Sequence, residues 1–463
     1  MLRRPNNLLT NHMPGPRVSA ATLAAALLGL LAATPDATAQ QQKITADQLI
    51  GNAVSQPDSP RYSDITEAIR RFSNRDAAGA QLLLEQAKRK FPKLPPVSVM
   101  LAKMHLLSGN NAAVRPALEL SVNEDADDPE PYLLLAEQAL AGNRTIEADA
   151  LFDKATTLID AYDDNAKRKR SFVIRAYQGR AIVAQRRRKW EAAEADIRVW
   201  LDEDPENATA YNQLGNVLFM LDKKSDGLKA FAEAKRLNKD LPNPYVTAGA
   251  VLQRQGESAD AIEYFRRAYR EDRADATNVT QYANALVISG NLDEAAEVLE
   301  GGLRDAPDSL ALWLLSGVTA RMRGDNATAV EHLQRALAIQ PTNRDSILQL
   351  TYIFADGKDD ATLLRARQYA ILNTRLNEKN SDAQVALAWT LERSGQSKEA
   401  SAALNAALQG GRLASDSQLL VAKMYLARDR KDTAKRVLSN ALEQSQGIFV
   451  GRAEAETLLA AMN

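Results

Sequence analysis

An all-α solenoid of antiparallel helix pairs, stacked side by side, is the fold this sequence predicts. Three observations carry it. First, small residues return at a spacing of 34: Gly324, Ala329 and Pro341 of "GDNATAVEHLQRALAIQP" fall on Gly290, Ala295 and Pro307, and one step earlier on Gly256 and Ala261. Second, an upstream phase repeats as well, with Tyr211, Tyr245 and Trp313 each followed four residues later by Gly215, Gly249 and Gly317. Third, aromatic residues make up only 5% of the chain while Ala and Leu abound, a balance that suits close-packed helices better than strands.

The elements follow in order. Arg3, Arg4 and Arg17 precede the apolar run "VSAATLAAALLGLLAA" and then Ala37-Thr38-Ala39, the layout of a secretory signal. Residues 1–39 are expected to be removed by cleavage after Ala39, leaving an exported, periplasmic or secreted chain. The run is shorter than the ~20 apolar residues that span a bilayer, which disfavours the alternative of an uncleaved anchor. Residues 40–60, rich in Gln, Pro and Ser, are expected to form a flexible linker with one short helix over Ala46 to Val54.

Repeating units then start near Arg61, Pro95, Pro129, Ile174, Ala208, Pro242, Ala276, Leu310, Arg344, Ser381 and Ser415. They group into weakly patterned units over 61–173, regular units over 174–343 and looser units over 344–448. The unit from Pro129 is eleven residues long in excess, about three helical turns, so a first helix is expected to lengthen without losing its buried face. Three extra residues in the unit from Arg344 are expected in the turn at Asp356-Gly357-Lys358. Residues 449–463 close the stack: Ala455, Leu458, Leu459 and Met462 form one face of a capping helix, with Arg452, Glu454 and Glu456 elsewhere on it.

Backbone approach explains the small residues. Two antiparallel helices come within about 8 Å only where side chains are small, so Gly215, Gly249, Ala283 and Gly317 in first helices, and Ala261, Ala295 and Ala329 in second helices, mark crossing points. Gly256, Gly290, Gly324 and Gly395 allow the left-handed residue that ends a helix, and Pro205, Pro307 and Pro341 stop second helices.

With "YNQLGNVL" at Tyr211 to Leu218 and "AIEYFRRA" at Ala261 to Ala268, the chain resembles the tetratricopeptide repeat (TPR) family from Arg61 to about Ser445. The resemblance implies a right-handed superhelix of about eleven repeats plus a capping helix. It also implies that first helices line a concave groove where extended segments of partner proteins lie.

Chemistry of other kinds finds little support. Formal net charge is −1, so no whole-molecule field calls for nucleic acid, and with no Cys there is neither a disulfide framework nor a thiol nucleophile. Phosphate loops, nucleophile elbows and His-Glu-x-x-His are absent, and the three histidines, His12, His105 and His332, are scattered. No enzyme activity, metal or cofactor is expected. "DGKDD", Asp356 to Asp360, lacks calcium-loop spacing and is expected to be a solvated turn.

The expected site is the groove. Asn212, Asn216, Asn243 and Asn284 fall on groove phases, where amides can hold the backbone of a ligand whatever its sequence. Phe219, Tyr352 and Trp389 are expected to face inward as anchors, and the central groove is expected to carry no Lys or Arg. A basic segment over 167–189, with Lys167, Arg168, Lys169, Arg170, Arg186, Arg187, Arg188 and Lys189, offers an alternative: direct binding of an anionic polysaccharide. Asp163, Glu191 and Glu194 are the nearby carboxylates expected to offset it. The function expected is a non-enzymatic scaffold of the cell envelope, serving secretion or envelope assembly.

Overall fold

The computed structural model describes residues 44–50, 63–445 and 447–462; the expected signal segment, His12 and all but 44–50 of the expected linker lie outside them. Every regular element among the described residues is an α-helix, 24 in all. The chain divides at Glu206/Asn207 into two compact units.

In unit 1 a short helix, α1 (Ala46–Ile50), precedes four antiparallel pairs: α2 (Ser63–Ser73) with α3 (Ala77–Lys90), α4 (Val97–Leu107) with α5 (Asn111–Glu124), α6 (Pro129–Ala141) with α7 (Thr145–Ala161), and α8 (Ala166–Arg186) with α9 (Trp190–Glu203). Unit 2 holds seven more pairs. These are α10 (Ala208–Met220) with α11 (Lys224–Leu237), α12 (Pro244–Gln255) with α13 (Ser258–Glu271), α14 (Ala276–Ile288) with α15 (Leu292–Asp305), and α16 (Leu310–Met322) with α17 (Asn326–Ile339). Then come α18 (Arg344–Ala355) with α19 (Asp360–Leu376), α20 (Ser381–Arg393) with α21 (Ser397–Gln409), α22 (Ser415–Leu426) with α23 (Lys431–Glu443), and the closing α24 (Arg452–Ala460). Eleven pairs and a final helix are thus what the spacing predicts.

Within each unit the helices form where capping and periodicity direct them. Asn207, Asp275, Ser309, Asn343 and Asn380 each accept backbone amides of the first helical turn that follows, satisfying donors no helix can satisfy internally. Second helices are strongly amphipathic: α13 buries Ala261, Phe265 and Ala268, one side of the cylinder, and leaves its Arg and Glu residues on the other. First helices are buried more broadly because they touch their own partner and the next pair; α16 buries Leu312, Leu315, Gly317 and Val318 together. One pair cannot cover its apolar face alone, so stability comes from stacking.

Both insertions are taken up by helices, the first spread over two of them rather than one and the second where the sequence places a turn. α7 has 17 residues and α8 has 21, against 14 in α9 and 13 in α10, so the eleven extra residues are shared between the end of a second helix and the start of the next first helix. α19 has 17 residues where α17 has 14, so the three extra residues near Arg344's turn are taken up by lengthening a second helix. Continuing a helix satisfies each added backbone group, which a longer loop would leave to solvent.

Candidate functional site

The groove phases of unit 2 do not all stand open. Asn212 and Asn216 lie one turn apart on α10 and are half-buried, as is Asn284 on α14. The Asn216 amide donates to the Asn212 carbonyl at 2.8 Å, and its oxygen accepts from the exposed Arg254 guanidinium on α12 at 3.3 Å. A cation therefore sits in the central groove, contrary to the expectation from the sequence. Asn243 does not join the ladder. Its oxygen accepts the amide of Tyr245 at 2.8 Å and its nitrogen donates to Glu271 at 2.8 Å, which makes it the N-cap of α12. Asn-Pro at a helix start carries that reading in its residue types, since Asn caps and Pro suits the first helical position.

The three aromatic residues expected as anchors are core residues instead. Phe219 is 2% exposed; its ring stacks on Phe231 at 5.6 Å and fills the space that Gly227 leaves empty. Tyr352 is equally buried, and its hydroxyl meets that of Ser417 at 2.9 Å, joining α18 to α22 past the intervening first helix α20. Trp389 is 8% exposed, with the Lys423 ammonium 4.9 Å above its ring. Consecutive first helices approach closely at this end of unit 2, α18 against α20 and α20 against α22, and the large rings fill the space along them. What remains is a cavity of about 30 Å³ edged by Arg321, Tyr352, Trp389, Asp416 and Lys423, space for a water molecule or two but not for a peptide side chain.

The segment before α24 completes the closure. Asp416 accepts the amides of Gly451 at 2.8 Å and Val450 at 3.3 Å, Phe449 is buried against α22 and α23, and Ile448 packs against the core of the central repeats. Burial pushes the Asp416 carboxyl above its ordinary range, against the pull of Arg321 and these two amides. α24 buries Ala455 and lays Leu458, Leu459 and Met462 along the last pair, as the capping pattern predicts. The groove of unit 2 is therefore polar and accessible near α10, α12 and α14, and filled from α18 onward.

In unit 1 the sequence reading missed a buried charge cluster. Glu130, near the start of α6, is held by three cations: Lys103 of α4 in a short contact, Arg168 of α8 at 2.8 Å and Arg175 at 3.7 Å. Arg168 also bonds Asp128 at 3.3 Å and the Tyr162 hydroxyl at 2.9 Å, while Arg175 grips Glu137 through two bonds of 2.8 and 2.9 Å. Burial alone would push the Glu130 carboxyl up; the charges of Lys103, Arg168 and Arg175 outweigh it and hold the group down at about 2. Beside this cluster lies a cavity of about 290 Å³, walled by Gln48, Lys103, Leu106, Leu134, Phe172 and Arg175.

Part of the basic segment is drawn into such pairs, and part of it bonds backbone carbonyls. Arg168 is 3% exposed. Lys169 donates to the Asp160 carbonyl, Arg170 to the Glu203 carbonyl, and Arg186 to the Leu140 carbonyl at 3.0 Å and Asn143 at 3.2 Å. Arg187 pairs with Asp149, and Arg180 with Asp153 and Asp196. The carboxylates that these guanidinium groups meet, Asp128, Glu130, Asp149, Asp153 and Asp196, come largely from distant stretches of unit 1. Arg188 takes a left-handed turn conformation, φ 57°, and Lys189 stands at the N-cap position of α9 without a capping side-chain bond.

The histidines have packing roles. His105 meets Phe72 edge-on at 5.0 Å, and His332 meets Trp313 at 5.2 Å and the Ser316 hydroxyl at 2.9 Å. Ser316 is buried within α16 and His332 half-buried on α17, so the contact ties the two helices of one pair together. No helix among the described residues is long and apolar enough to cross a membrane, and no group of three or more His, Asp or Glu among them could hold a metal ion.

Comparison with known proteins agrees with the geometry. Tetratricopeptide repeat models match residues 132–306 and 282–344. A cell division cycle protein 27 homolog of Caenorhabditis elegans is 28% identical over 113 residues, which is 24% of this chain and 14% of that protein. A TPR repeat-containing protein of Pseudomonas aeruginosa is 32% identical over 90 residues, 19% of this chain and 15% of that protein. The chain thus spans a small part of the length of these relatives. Among solved structures, a tetratricopeptide repeat protein from Parabacteroides merdae is similar at 14% identity and a TM-score of 0.43, covering 55% of this chain and 98% of that one. Proteins of this kind are generally non-catalytic scaffolds that bind peptide partners. Paired helices at a constant spacing, crossing at Gly and Ala and matched over the central repeats, make this chain a tetratricopeptide repeat protein.

Proposed function

We propose that the protein is an exported scaffold of the cell envelope that holds extended segments of partner proteins along the first helices of α10, α12 and α14. One observation carries the reading: at this stretch the groove presents Asn212, Asn216, Arg254 and Asn284 as accessible polar side chains, whereas from α18 onward its wall is packed shut. Amides that both donate and accept can follow a ligand's backbone without reading its side chains, and Arg254 adds attraction for an acidic residue. The amino-terminal signal pattern supports placement outside the cytoplasm, in a secretion or envelope-assembly pathway. The polysaccharide alternative has weaker support, because Arg168, Arg175, Arg180 and Arg187 pair with carboxylates inside unit 1.

Two measurements test this. A peptide array probed with wild type and with an Asn212→Ala, Asn216→Ala, Asn284→Ala variant should show binding of extended, acid-containing peptides that drops about tenfold or more in the variant, as the loss of two or three hydrogen bonds implies. Unchanged binding removes this groove from the reading. Cell fractionation with amino-terminal sequencing should recover the chain outside the cytoplasm beginning at Gln40; a cytoplasmic chain starting at Met1 rejects export.

A further inference from the structure

We propose that the first-helix face of unit 1 is a second docking site, built for a short helix ending in two apolar residues, and that α1 is its resident occupant, replaceable by a partner segment of the same pattern. The inference is independent of the polar strip in unit 2.

Its starting point is that α1 has only five residues, far below the ~12 needed for a helix to hold itself together in water. Its order therefore comes from what it lies on. Thr45 and Gln48 form a reciprocal cap, with the Thr45 amide donating to the Gln48 side chain at 2.9 Å and the Gln48 amide to the Thr45 hydroxyl at 3.4 Å. Leu49 and Ile50 are fully buried among Ile65, Ile69, Met100 and Met104 of α2 and α4. At the other end, Lys103 donates to the Leu49 carbonyl at 3.0 Å, placing a cation where the unsatisfied carbonyls of a helix end collect. The cap organises the occupant, while the apolar pair and the cation define what this face recognises.

The resident helix underfills that face. The 290 Å³ cavity lies directly beside it, and from α1 it is Gln48, a polar side chain already engaged in the cap, that lines its wall; Leu106, Leu107, Leu134 and Phe172 face it from the other sides. A segment with a large apolar side chain at the Gln48 position would bury surface that α1 leaves uncovered. That surplus is what lets a partner displace a tethered occupant despite the tether's high local concentration. The class of partner is thus a short amphipathic helix with a leucine-like residue one position ahead of an apolar pair.

The test uses the full chain and two labelled, end-blocked peptides: Ile44 to Ile50, and the same peptide carrying Gln48→Leu. In fluorescence anisotropy the full-length Leu49→Asp, Ile50→Asp variant, whose α1 no longer docks, should bind the first peptide saturably and wild type at least about tenfold more weakly, because wild type must first release its own helix. The Gln48→Leu peptide should bind both proteins more tightly, by about tenfold if a leucine side chain is buried. As a second measurement that needs no variant, excess Gln48→Leu peptide should accelerate hydrogen exchange at the amides of Leu49 and Ile50 in wild type. The proposal is overturned if wild type shows no exchange increase at saturating peptide or no binding at millimolar peptide, or if a scrambled peptide binds equally well. Wild-type dimerisation that disappears in the double-aspartate variant also overturns it, by assigning the face to a second copy.

Discussion

The ring of Phe231 occupies the space that any side chain at Gly215 would need: a Cβ built there comes within 2.5 Å of two ring carbons. The same relation recurs at Gly249 with Phe265, at 2.8 Å, and at Gly317 with Leu333, at 2.7 Å. Gly215→Ala should therefore destabilise unit 2. Alanine's better helix propensity returns about 0.5 to 1 kcal/mol, against an overpacking cost of about 1 to 3 kcal/mol, so a net loss of about 1 to 2 kcal/mol is expected. Urea unfolding followed by circular dichroism checks it; an unchanged midpoint would mean that Phe231 moves aside freely.

Crossing points like Gly215 were legible in the sequence because only Gly or Ala permits the approach, and the need recurs in every pair. Turn residues were half legible. Gly256, Gly290, Gly324 and Gly395 mark left-handed positions, but Arg75, Asn143, Arg188, Asp222 and Asp429 adopt the same conformation with φ of 57° to 65°. A strain of only 1 to 2 kcal/mol lets selection ignore the rule where the rest of the pair is strong enough. The site was less legible still. The positions of Phe219, Tyr352 and Trp389 on first helices follow from the spacing, but whether such a position is open depends on the helix packed against it, the partner α11 for Phe219 and neighbouring first helices for the other two, and no local pattern encodes that. Glu130, Lys103 and Arg168 were missed for a related reason: they meet through long side chains from three different repeats, so no motif joins them.

Those turn positions make a paired prediction. Gly256, at φ 85°, should lose about 1 kcal/mol or more on substitution to Ala, since nothing crowds its Cβ and only backbone strain opposes it. Arg188→Gly should do the reverse and raise stability by roughly 0.5 kcal/mol, the relieved strain exceeding the entropy gained by the unfolded chain. Melting temperatures of the two variants should move in opposite directions.

Glu130→Gln should be the most damaging single polar change in unit 1. It leaves Lys103 and Arg168 buried without their shared carboxylate, a loss of about 3 to 5 kcal/mol. The pH dependence has a definite sign. The folded-state pKa, about 2, lies below the ordinary value of 4.5, so Glu130 contributes stability that is fully present above about pH 4.5 and is lost as pH falls toward 2. Urea midpoints at pH 7, 4.5 and 3 should fall along this course in wild type. Glu130→Gln should lack this component of the slope.

The hydroxyl contact between Tyr352 and Ser417 closes the groove of unit 2, and a double-mutant cycle measures what it contributes. Tyr352→Phe leaves the buried Ser417 hydroxyl without this partner, and Ser417→Ala does the same to the tyrosine, so each single change should cost about 1 kcal/mol or more. The double variant should cost less than the sum by about 0.5 to 1.5 kcal/mol, because an apolar pair leaves no unsatisfied group. Exact additivity would show that α18 and α22 are held together by packing alone.

Charge reversal at Arg186, Arg187 and Arg188 separates the two ligand classes. Arg187 pairs with Asp149, which leaves Arg186, bonded to the Leu140 carbonyl, and the exposed Arg188, Lys167 and Lys189 as dispersed cations. At about 0.15 M salt the screening length is about 8 Å, so a few dispersed charges give little attraction to a polyanion. Wild type should therefore pass unretained through an anionic-polysaccharide column at that salt, and the triple variant should do the same. Firm retention of wild type that vanishes in the variant would reverse the preference and make the glycan, rather than a peptide, the ligand of unit 1's basic helix.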